Sequence, residues 1–282
     1  ETLLEEGTEP ELAKPLRWAL DNWSDVSAKA KENAEKIRAA IPAALKAAKG
    51  NAKKTLAKVR ELQDYFVNKS IWCFGGDGWA YDIGYGGLDH VMAQDKNVNV
   101  LVMDTEVYSN TGGQASKATP RGAIAKFAAS GKQLGKKNLG LMMTTYGNVF
   151  VASVNLGANR DQVLQAIVEA EKHDGPSIII AYSPCIAHGY DMKYTVQQSK
   201  AAASSGYWPI YRYNPDLREE GKNPFVWESE EPTTDFKEYT HAEIRYRALE
   251  LAKPEEALRL RELAIQDNKR RFEDLKKLEQ EE

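Results

Sequence analysis

Two short segments of the chain bring together residue types that bind metal ions and phosphates. The first is Gly76-Asp77-Gly78, which follows a short apolar run; the second is Asp104–Gln114, which follows another such run and contains Thr105. A carboxylate, a hydroxyl and a loop carbonyl form a hard, oxygen-only ligand set that suits Mg²⁺. The two glycines are expected to clear space so that backbone amides can approach a phosphate. The segments therefore predict a metal-bridged diphosphate site.

Other interpretations of the glycine-rich segment have weaker support. A dinucleotide-binding fingerprint needs G-x-G-x-x-G, but the chain offers only "GYGG" at residues 84–87, inside a helical pattern, and it has no Walker A sequence. Taken alone, Asp77 would be interpreted as a turn or helix-capping aspartate. Because Thr105 and Asn110 lie on the next loop of the pattern, a cofactor site is favoured.

The elements that must position these loops form a repeating pattern from residue 70 onward. Continuous apolar strands separated by helices indicate a parallel sheet buried on both faces, with ligands beyond the carboxyl ends of the strands. The predicted fold class is therefore α/β, with a doubly wound, mostly parallel sheet. The predicted strands are Ser70–Phe74, Val98–Met103, Leu139–Thr144, Ser177–Ser183 and Ile210–Tyr213. The predicted helices are 81–94, 117–130, 160–173 and 192–204, and the loops expected at the carboxyl edge are 76–79, 104–114, 145–148 and 184–189.

The composition divides the chain into three parts. Residues 1–69 are rich in Ala and Lys and predict an arm of two or three helices, one of which ends at Gly50. Residues 70–213 contain the strand and helix pattern of the cofactor domain. Residues 214–282 are polar and predict a loop-rich excursion followed by a charged terminal helix that begins near Pro254.

Bulk properties exclude several classes of partner. The 282 residues carry a net charge of −3, which gives no reason to expect nucleic acid or an anionic membrane as partner. The apolar runs are far too short to span a bilayer. Two cysteines do not make a disulfide framework, so we expect a cytoplasmic protein. Because the sequence begins with Glu1 instead of Met, we expect it to be a piece of a longer protein.

Three segments of the sequence closely resemble one family of enzymes. They are "GGDGWAYDIGYGGLDH", "NVNVLVMDTEVYSNTGGQASKATPRGAIAKFAASGK" and "IIIAYSPCIAHG". They resemble the carboxyl-terminal thiamine-diphosphate domain of pyruvate:ferredoxin (or flavodoxin) oxidoreductases, over about Lys69 to Tyr213. The resemblance implies oxidative decarboxylation of pyruvate to acetyl-CoA and CO₂. Electrons would pass through iron–sulfur clusters to ferredoxin or flavodoxin, with coenzyme A as the acetyl acceptor.

The resemblance also assigns roles to individual residues. It implies that Mg²⁺ is bound by the side chains of Asp77 and Thr105 and by the carbonyl of Val107. Asn110 would face the substrate carbonyl and hydrogen-bond the developing oxyanion. The residues implied to cradle the diphosphate and thiazolium are Gly76, Asp77, Gly78, Trp79, Thr105, Glu106, Val107, Tyr108, Ser109 and Asn110.

The two cysteines receive different assignments. Unaided, Cys185 would be interpreted as a small buried apolar residue. The resemblance in "AYSPCIAHG" implies instead that it is the last ligand of a [4Fe–4S] cluster. Cys73 lies inside a predicted strand and is expected to pack in the core, and His188 is expected to be structural.

The sequence departs from the family in three respects. The other three cluster cysteines are absent, no activating glutamate of a pyrimidine-binding domain can be assigned, and Arg121 stands where a small or neutral residue is expected. We therefore expect one piece of a larger enzyme, inactive in isolation. Its partners would be the pyrimidine-binding and cluster-binding parts, and the intact enzyme is expected to be a homodimer. Two alternatives stay open: a non-catalytic assembly module, and the cofactor-binding subunit of another 2-oxoacid oxidoreductase.

Overall fold

A computed structural model of the chain describes residues 3, 10–23, 25, 27–67 and 69–280. The chain forms two compact units, Glu1–Ser70 and Ile71–Glu282. Parts of the predicted arm (residues 1–2, 4–9, 24, 26 and 68) and of the predicted tail (residues 281–282) lie outside the described residues. Residues 214–280 fold in the same unit as the sheet, and the three-part division made from the sequence stays a prediction.

The first unit is helical. Its helices are α1 (Pro10–Asp21), α2 (Ala28–Ala47) and α3 (Gly50–Glu61). Ser27 begins α2, because its hydroxyl accepts hydrogen bonds from the first free amides of the helix. Gly50, predicted to end a helix, instead begins α3. Apolar side chains of the three helices pack into one core, formed by Leu12, Ile37, Ile41, Ala44 and Leu56.

The second unit contains a six-stranded sheet with the strand order β1-β2-β4-β3-β5-β6. The strands are β1 (Trp72–Gly76), β2 (Asn99–Asp104), β3 (Phe150–Val154), β4 (Ser177–Tyr182), β5 (Tyr211–Tyr213) and β6 (Phe225–Trp227). The first four strands pair in parallel, whereas β5 and β6 run antiparallel to their neighbours. The predicted fold class, a mostly parallel α/β sheet, is confirmed.

Helices cover both faces of this sheet. On one face Ile178 and Ile180 pack in a core with residues of several helices, and on the other Phe150 and Ile179 pack against Ala166. The helices are α4 (Tyr85–Met92), α5 (Leu139–Thr144), α6 (Arg160–Lys172), α7 (Thr195–Ser204), α8 (Phe236–His241), α9 (Ile244–Ala252) and α10 (Pro254–Lys277). Within the described part of the chain, none of the helices combines the length and the apolar character needed to cross a bilayer.

The third predicted strand was wrong. Leu139–Thr144 forms helix α5, and the side chain of Asn138 caps it by accepting a hydrogen bond from the Leu141 amide at 3.1 Å. The segment reads LGLMMT, in which leucine and methionine favour a helix and no Val or Ile favours a strand. The actual strand is Phe150–Val154, whose sequence FVASV contains two β-branched valines.

One further prediction fails in the loop-rich parts of the second unit, and another is refined. Residues 117–130 form turns and isolated bridges instead of a helix, because Pro120 lacks an amide donor and Gly122 takes a φ of 83°. The fifth strand does form at Tyr211–Tyr213, but it is antiparallel to β3. It pairs with a further short strand, Phe225–Trp227, in the segment predicted to be a loop.

Candidate functional site

The carboxyl ends of three parallel strands bring their loops into contact. Asp77 follows β1, Thr105 follows β2, and His188 lies in the loop after β4. Thr105 contacts both of the others: its hydroxyl oxygen lies 2.8 Å from Asp77 Oδ1, and its carbonyl oxygen lies 2.8 Å from His188 Nε2. Local runs of apolar residues therefore place side chains that are distant in sequence at one edge of the sheet.

The Thr105 hydroxyl lies close to three other oxygen atoms, each of which can accept a hydrogen bond or bind a cation. Besides Asp77 Oδ1, its Oγ1 is 3.0 Å from the carbonyl oxygen of Val107 and 3.3 Å from Ser109 Oγ. A hydroxyl has a single hydrogen, so it can donate to only one of these acceptors at a time. Three hard oxygens (carboxylate, hydroxyl and carbonyl) thus converge on one place, and this donor set fits Mg²⁺, which completes its octahedron with water and phosphate oxygens.

Asp77 is the charged member of this set. Its side chain is almost fully buried, and its second oxygen accepts a hydrogen bond from Ser116 Oγ at 2.7 Å. Burial raises the pKa of Asp77, and the hydrogen bonds from Ser116 and Thr105 offset only part of this effect. A nearby cation would compensate the buried negative charge. Among the described residues, no group of three or more His, Cys, Asp or Glu side chains could hold a metal ion, so the candidate ligands depend on hydroxyl and carbonyl oxygens.

The glycines around Asp77 accommodate aromatic rings of this chain. A Cβ on Gly75 or Gly84 would lie 2.2 Å from the Trp79 ring, and one on Gly78 would lie 2.4 Å from the Tyr108 ring. The space beside Gly78 therefore holds Tyr108. A Cβ on Gly76 would meet only a backbone oxygen at 4.0 Å, so the approach to Gly76 is open.

The segment after Asp77 is a π-helix, Gly78–Ile83, in which the Gly84 amide donates to the Trp79 carbonyl at 2.9 Å. Such wide turns hold one more residue than an α-helical turn and are frequent at functional sites. From this turn, Tyr81 donates a hydrogen bond to Asp104 Oδ2 at 2.6 Å, and Asp82 accepts one from the Lys117 amide at 3.1 Å. The π-helix therefore ties the Asp77 loop to the loop after β2.

The loop after β2 turns sharply at Glu106. This residue has a φ of 61°, in the left-handed region that few side chains adopt. The loop then closes on itself, because the Tyr108 amide donates to the Gln114 carbonyl and the Gly113 amide donates to the Tyr108 carbonyl. Ser109 and Asn110 lie exposed at its surface. The predicted residues of both loops thus lie at the same edge, with Asn110 facing solvent.

Below this loop lies a buried ionic network that the sequence analysis missed. The fully buried Glu106 carboxylate accepts hydrogen bonds from Arg245 Nη2 at 2.7 Å, from Lys136 Nζ at 3.3 Å and from the Tyr207 hydroxyl. Lys136 also pairs with Asp104 at 2.7 Å. The partners come from distant parts of the sequence, so no local spacing could have identified them.

Burial and charge determine the protonation of this network. Burial opposes ionisation of Glu106, but Lys136 and Arg245 outweigh it and hold the pKa of Glu106 at about 2. Burial raises the pKa of Asp104 to about 6, although Lys136 opposes the rise. Burial lowers the pKa of His188 to about 3, so its ring is neutral. Because the Thr105 carbonyl can only accept, His188 Nε2 carries the hydrogen and donates it.

The remaining predicted residues lie in different places. Cys185 is buried, and its Sγ accepts a hydrogen bond from the Ala187 amide at 3.4 Å, whereas Cys73 is exposed, against the expectation that it packs in the core. Arg121 pairs with Asp267 at 2.7 Å. The loop 145–148 precedes β3 and therefore lies at the amino edge, because its expected strand is helix α5.

Residues 39–181, more than half of the chain, match the family described as thiamine pyrophosphate enzyme, C-terminal TPP binding domain. The chain belongs to this family. The thiamine-diphosphate-binding domain predicted from the motifs is thereby confirmed, and so is its kinship with pyruvate oxidoreductases.

Several curated proteins resemble this member of the thiamine pyrophosphate family. Pyruvate:ferredoxin oxidoreductase of Moorella thermoacetica is 50% identical over 98% of this chain, which matches 24% of that protein. Pyruvate-flavodoxin oxidoreductase of Nostoc is 58% identical over 76% of this chain and 18% of that protein. The protein of that name from Klebsiella pneumoniae is 51% identical over 80% of this chain and 20% of its own length. This chain thus spans about a quarter or less of these relatives.

A solved structure shows a weaker likeness. It is 2-oxoglutarate:ferredoxin oxidoreductase from Magnetococcus marinus with 2-oxoglutarate, coenzyme A and succinyl-CoA bound. It is 29% identical, covers 40% of this chain and 38% of that chain, and has a TM-score of 0.38. This structural likeness is too slight to inform the site.

Proposed function

We propose that this chain binds Mg²⁺ and the diphosphate end of thiamine diphosphate within a pyruvate:ferredoxin or pyruvate:flavodoxin oxidoreductase. The observation that carries the proposal is that three oxygen atoms lie close together: Thr105 Oγ1 is 2.8 Å from Asp77 Oδ1 and 3.0 Å from the Val107 carbonyl oxygen. These three atoms would bind the metal. The reaction would convert pyruvate and coenzyme A into acetyl-CoA and CO₂ and release a proton. Two electrons would pass to ferredoxin or flavodoxin.

Bound thiamine diphosphate supplies the electron sink for decarboxylation of a 2-oxoacid. The chain's own residues would position it. The backbone of the two predicted segments, Gly76–Trp79 and Thr105–Asn110, would cradle the diphosphate, although the amides of Glu106 and Tyr108 already donate within the chain. Asn110, exposed at the edge of the sheet, would donate its side-chain amide to the oxygen of the substrate carbonyl.

The direct test uses two preparations. One is the 282-residue chain, and the other is a hybrid of the Moorella thermoacetica enzyme in which this chain replaces the matching segment. The 50% identity over 98% of this chain makes that exchange practicable. Calorimetry should show that thiamine diphosphate binds only with Mg²⁺, and the hybrid should reduce ferredoxin when given pyruvate and coenzyme A.

Variants make this test specific. Asp77→Ala should abolish Mg²⁺-dependent binding, because it removes the only carboxylate of the donor set. Asp267→Asn is a matched control, since Asp267 pairs with Arg121 away from these ligands. A folded hybrid that binds thiamine diphosphate equally well without a divalent cation, or does not bind it, would disprove the proposal.

We further propose that Cys185 contributes one thiolate to a [4Fe–4S] cluster whose other ligands come from outside this chain. The chain's two cysteines cannot complete a four-thiolate site. In the hybrid, Cys185→Ser should lower the iron and acid-labile sulfide content by about one cluster, while thiamine diphosphate still binds. Cys73→Ser, at the exposed cysteine, should change neither quantity. Equal iron content in both variants would contradict this role.

The wider setting of the enzyme is part of the same proposal. Pyrimidine-binding and cluster-binding parts, supplied by other domains or chains, would complete the site, and the intact enzyme would be a homodimer. The two cysteines of this chain are free thiols, which fits a reducing, cytoplasmic compartment.

A further inference from the structure

Glu106 occupies a backbone position where glycine would be the less strained choice. Its φ of 61° lies in the left-handed region, which glycine adopts freely and a residue with a Cβ adopts at a cost. Among the described residues, only Phe127 is another non-glycine residue with positive φ. A glutamate at this position suggests that its side chain offsets the strain.

The main chain of Glu106 is held at both ends. Its amide donates to Asp104 Oδ1 at 3.0 Å, and its carbonyl accepts from Thr119 Oγ1 at 2.6 Å. Thr119 itself is fixed, because its Oγ1 accepts a hydrogen bond from the Ser116 amide at 2.8 Å. Ser116 in turn donates to Asp77. The turn at Glu106 is therefore connected to the buried carboxylate of the site.

The side chain of Glu106 is held more firmly still. It has no solvent exposure, and its carboxylate accepts hydrogen bonds from Tyr207, Arg245 and Lys136. These donors belong to three separate segments of the chain, so they fix the carboxylate from several directions. Charge-assisted bonds of this kind are stronger than neutral ones.

The left-handed turn at Glu106 brings its two neighbours together. Thr105 and Val107 flank Glu106, yet the Thr105 hydroxyl and the Val107 carbonyl lie 3.0 Å apart. In an extended chain, groups on either side of one residue would be carried along the strand and away from each other. The turn therefore places the Val107 carbonyl beside the Thr105 hydroxyl, which in turn contacts Asp77.

We propose that Glu106 is a positioning residue for the metal ligands. Its buried carboxylate, fixed by Arg245, Lys136 and Tyr207, holds the left-handed turn that directs the Thr105 hydroxyl and the Val107 carbonyl to one point. This inference depends on the proposed function, in which those two groups and Asp77 bind Mg²⁺. Glu106 itself touches neither metal nor substrate.

The test measures metal affinity directly. Mn²⁺ replaces Mg²⁺ as a paramagnetic probe, and its binding with thiamine diphosphate is followed by electron paramagnetic resonance in the chain and in the hybrid. Glu106→Gln and Glu106→Gly should each weaken Mn²⁺ binding by about 10-fold to 100-fold, the effect expected for groups that orient metal ligands. Glycine permits the turn but does not hold it, so glycine should not restore affinity.

A matched control separates positioning from general destabilisation. Glu228→Gln also removes a carboxylate charge from a buried arginine, Arg212, in a different part of the sheet, and it should leave Mn²⁺ affinity unchanged. If Glu106 acts through Thr105, the effects of Glu106→Gln and Thr105→Ala on Mn²⁺ affinity should not be additive. In a Thr105→Ala background, Glu106→Gln should weaken binding much less than in the unchanged chain.

The outcomes distinguish this inference from the proposed function. If Asp77→Ala binds Mn²⁺ as well as the unchanged protein, the proposed function fails and this inference fails with it. If Asp77→Ala loses the metal while Glu106→Gln and Glu106→Gly keep full affinity, only the positioning role is wrong. Should the Glu106 variants not fold, Tyr207→Phe replaces them, with about a few-fold loss expected and unchanged affinity refuting the role.

Discussion

Arg245 and Arg212 each bind two glutamates inside the second unit, but the two networks differ in burial. Arg245 contacts Glu106 and Glu243, and the three side chains are 4%, 0% and 0% exposed. Arg212 contacts Glu169 and Glu228, and those side chains are 8%, 21% and 17% exposed. Water therefore reaches the second network far more easily than the first.

The backbone that each network supports differs as well. Arg212 lies in β5, and its partner Glu169 lies in helix α6, so regular hydrogen bonds already fix both backbones. Arg245 holds Glu106, whose left-handed φ no strand or helix supplies. From this difference we infer that a buried ion pair determines the local backbone conformation only where the hydrogen bonds of a helix or strand have not already fixed it.

Arg245→Met should have the largest effect. It leaves the carboxylates of Glu106 and Glu243 buried without their arginine, and removing one partner of such a pair costs about 3–5 kcal/mol. The free energy of unfolding from urea titration, followed by circular dichroism, should fall by that amount. Metal affinity of the folded protein should fall as well. A loss of unfolding free energy below about 1 kcal/mol would show that Arg245 is not needed to compensate these two buried carboxylates.

Arg212→Met should have a smaller effect, and a different one. Glu169 and Glu228 stay partly in contact with water, so the expected loss of unfolding free energy is about 1–3 kcal/mol. Mn²⁺ and thiamine diphosphate should bind with unchanged affinity, as measured by paramagnetic resonance and calorimetry. Weaker metal binding in this variant would show that any loss of stability loosens the site, and the contrast between the two arginines would disappear.

Much of the fold could be predicted because its signals are local. Strands β1, β2 and β4 are continuous apolar runs, and Asp77 and Thr105 follow two of them directly. By contrast, LGLMMT and FVASV are both short and apolar, and the sequence analysis assigned the strand to the first one. The choice depends on a helix cap from Asn138 and on β-branched valines, both of which are weak signals.

The support of the candidate site could not be predicted in the same way. Ser116 lies 39 residues from Asp77, and Arg245 lies 139 residues from Glu106. Such contacts are determined by tertiary packing, and no periodicity within one element encodes them. The left-handed backbone at Glu106 could not be predicted either, because a positive φ is expected from the sequence only at glycine.

The π-helix after Asp77 makes the length of this segment as important as its composition. Deleting Ala80 from this wide turn would leave an ordinary α-helical turn between the same two ends, and Tyr81 would move by one position, about 100°, around the helix axis. Tyr81 could then no longer reach Asp104, although neither residue had been replaced. Substitutions in this segment can be compensated by neighbouring side chains, but an insertion or deletion cannot. The number of residues between Asp77 and helix α4 should therefore be kept even where the residues themselves vary.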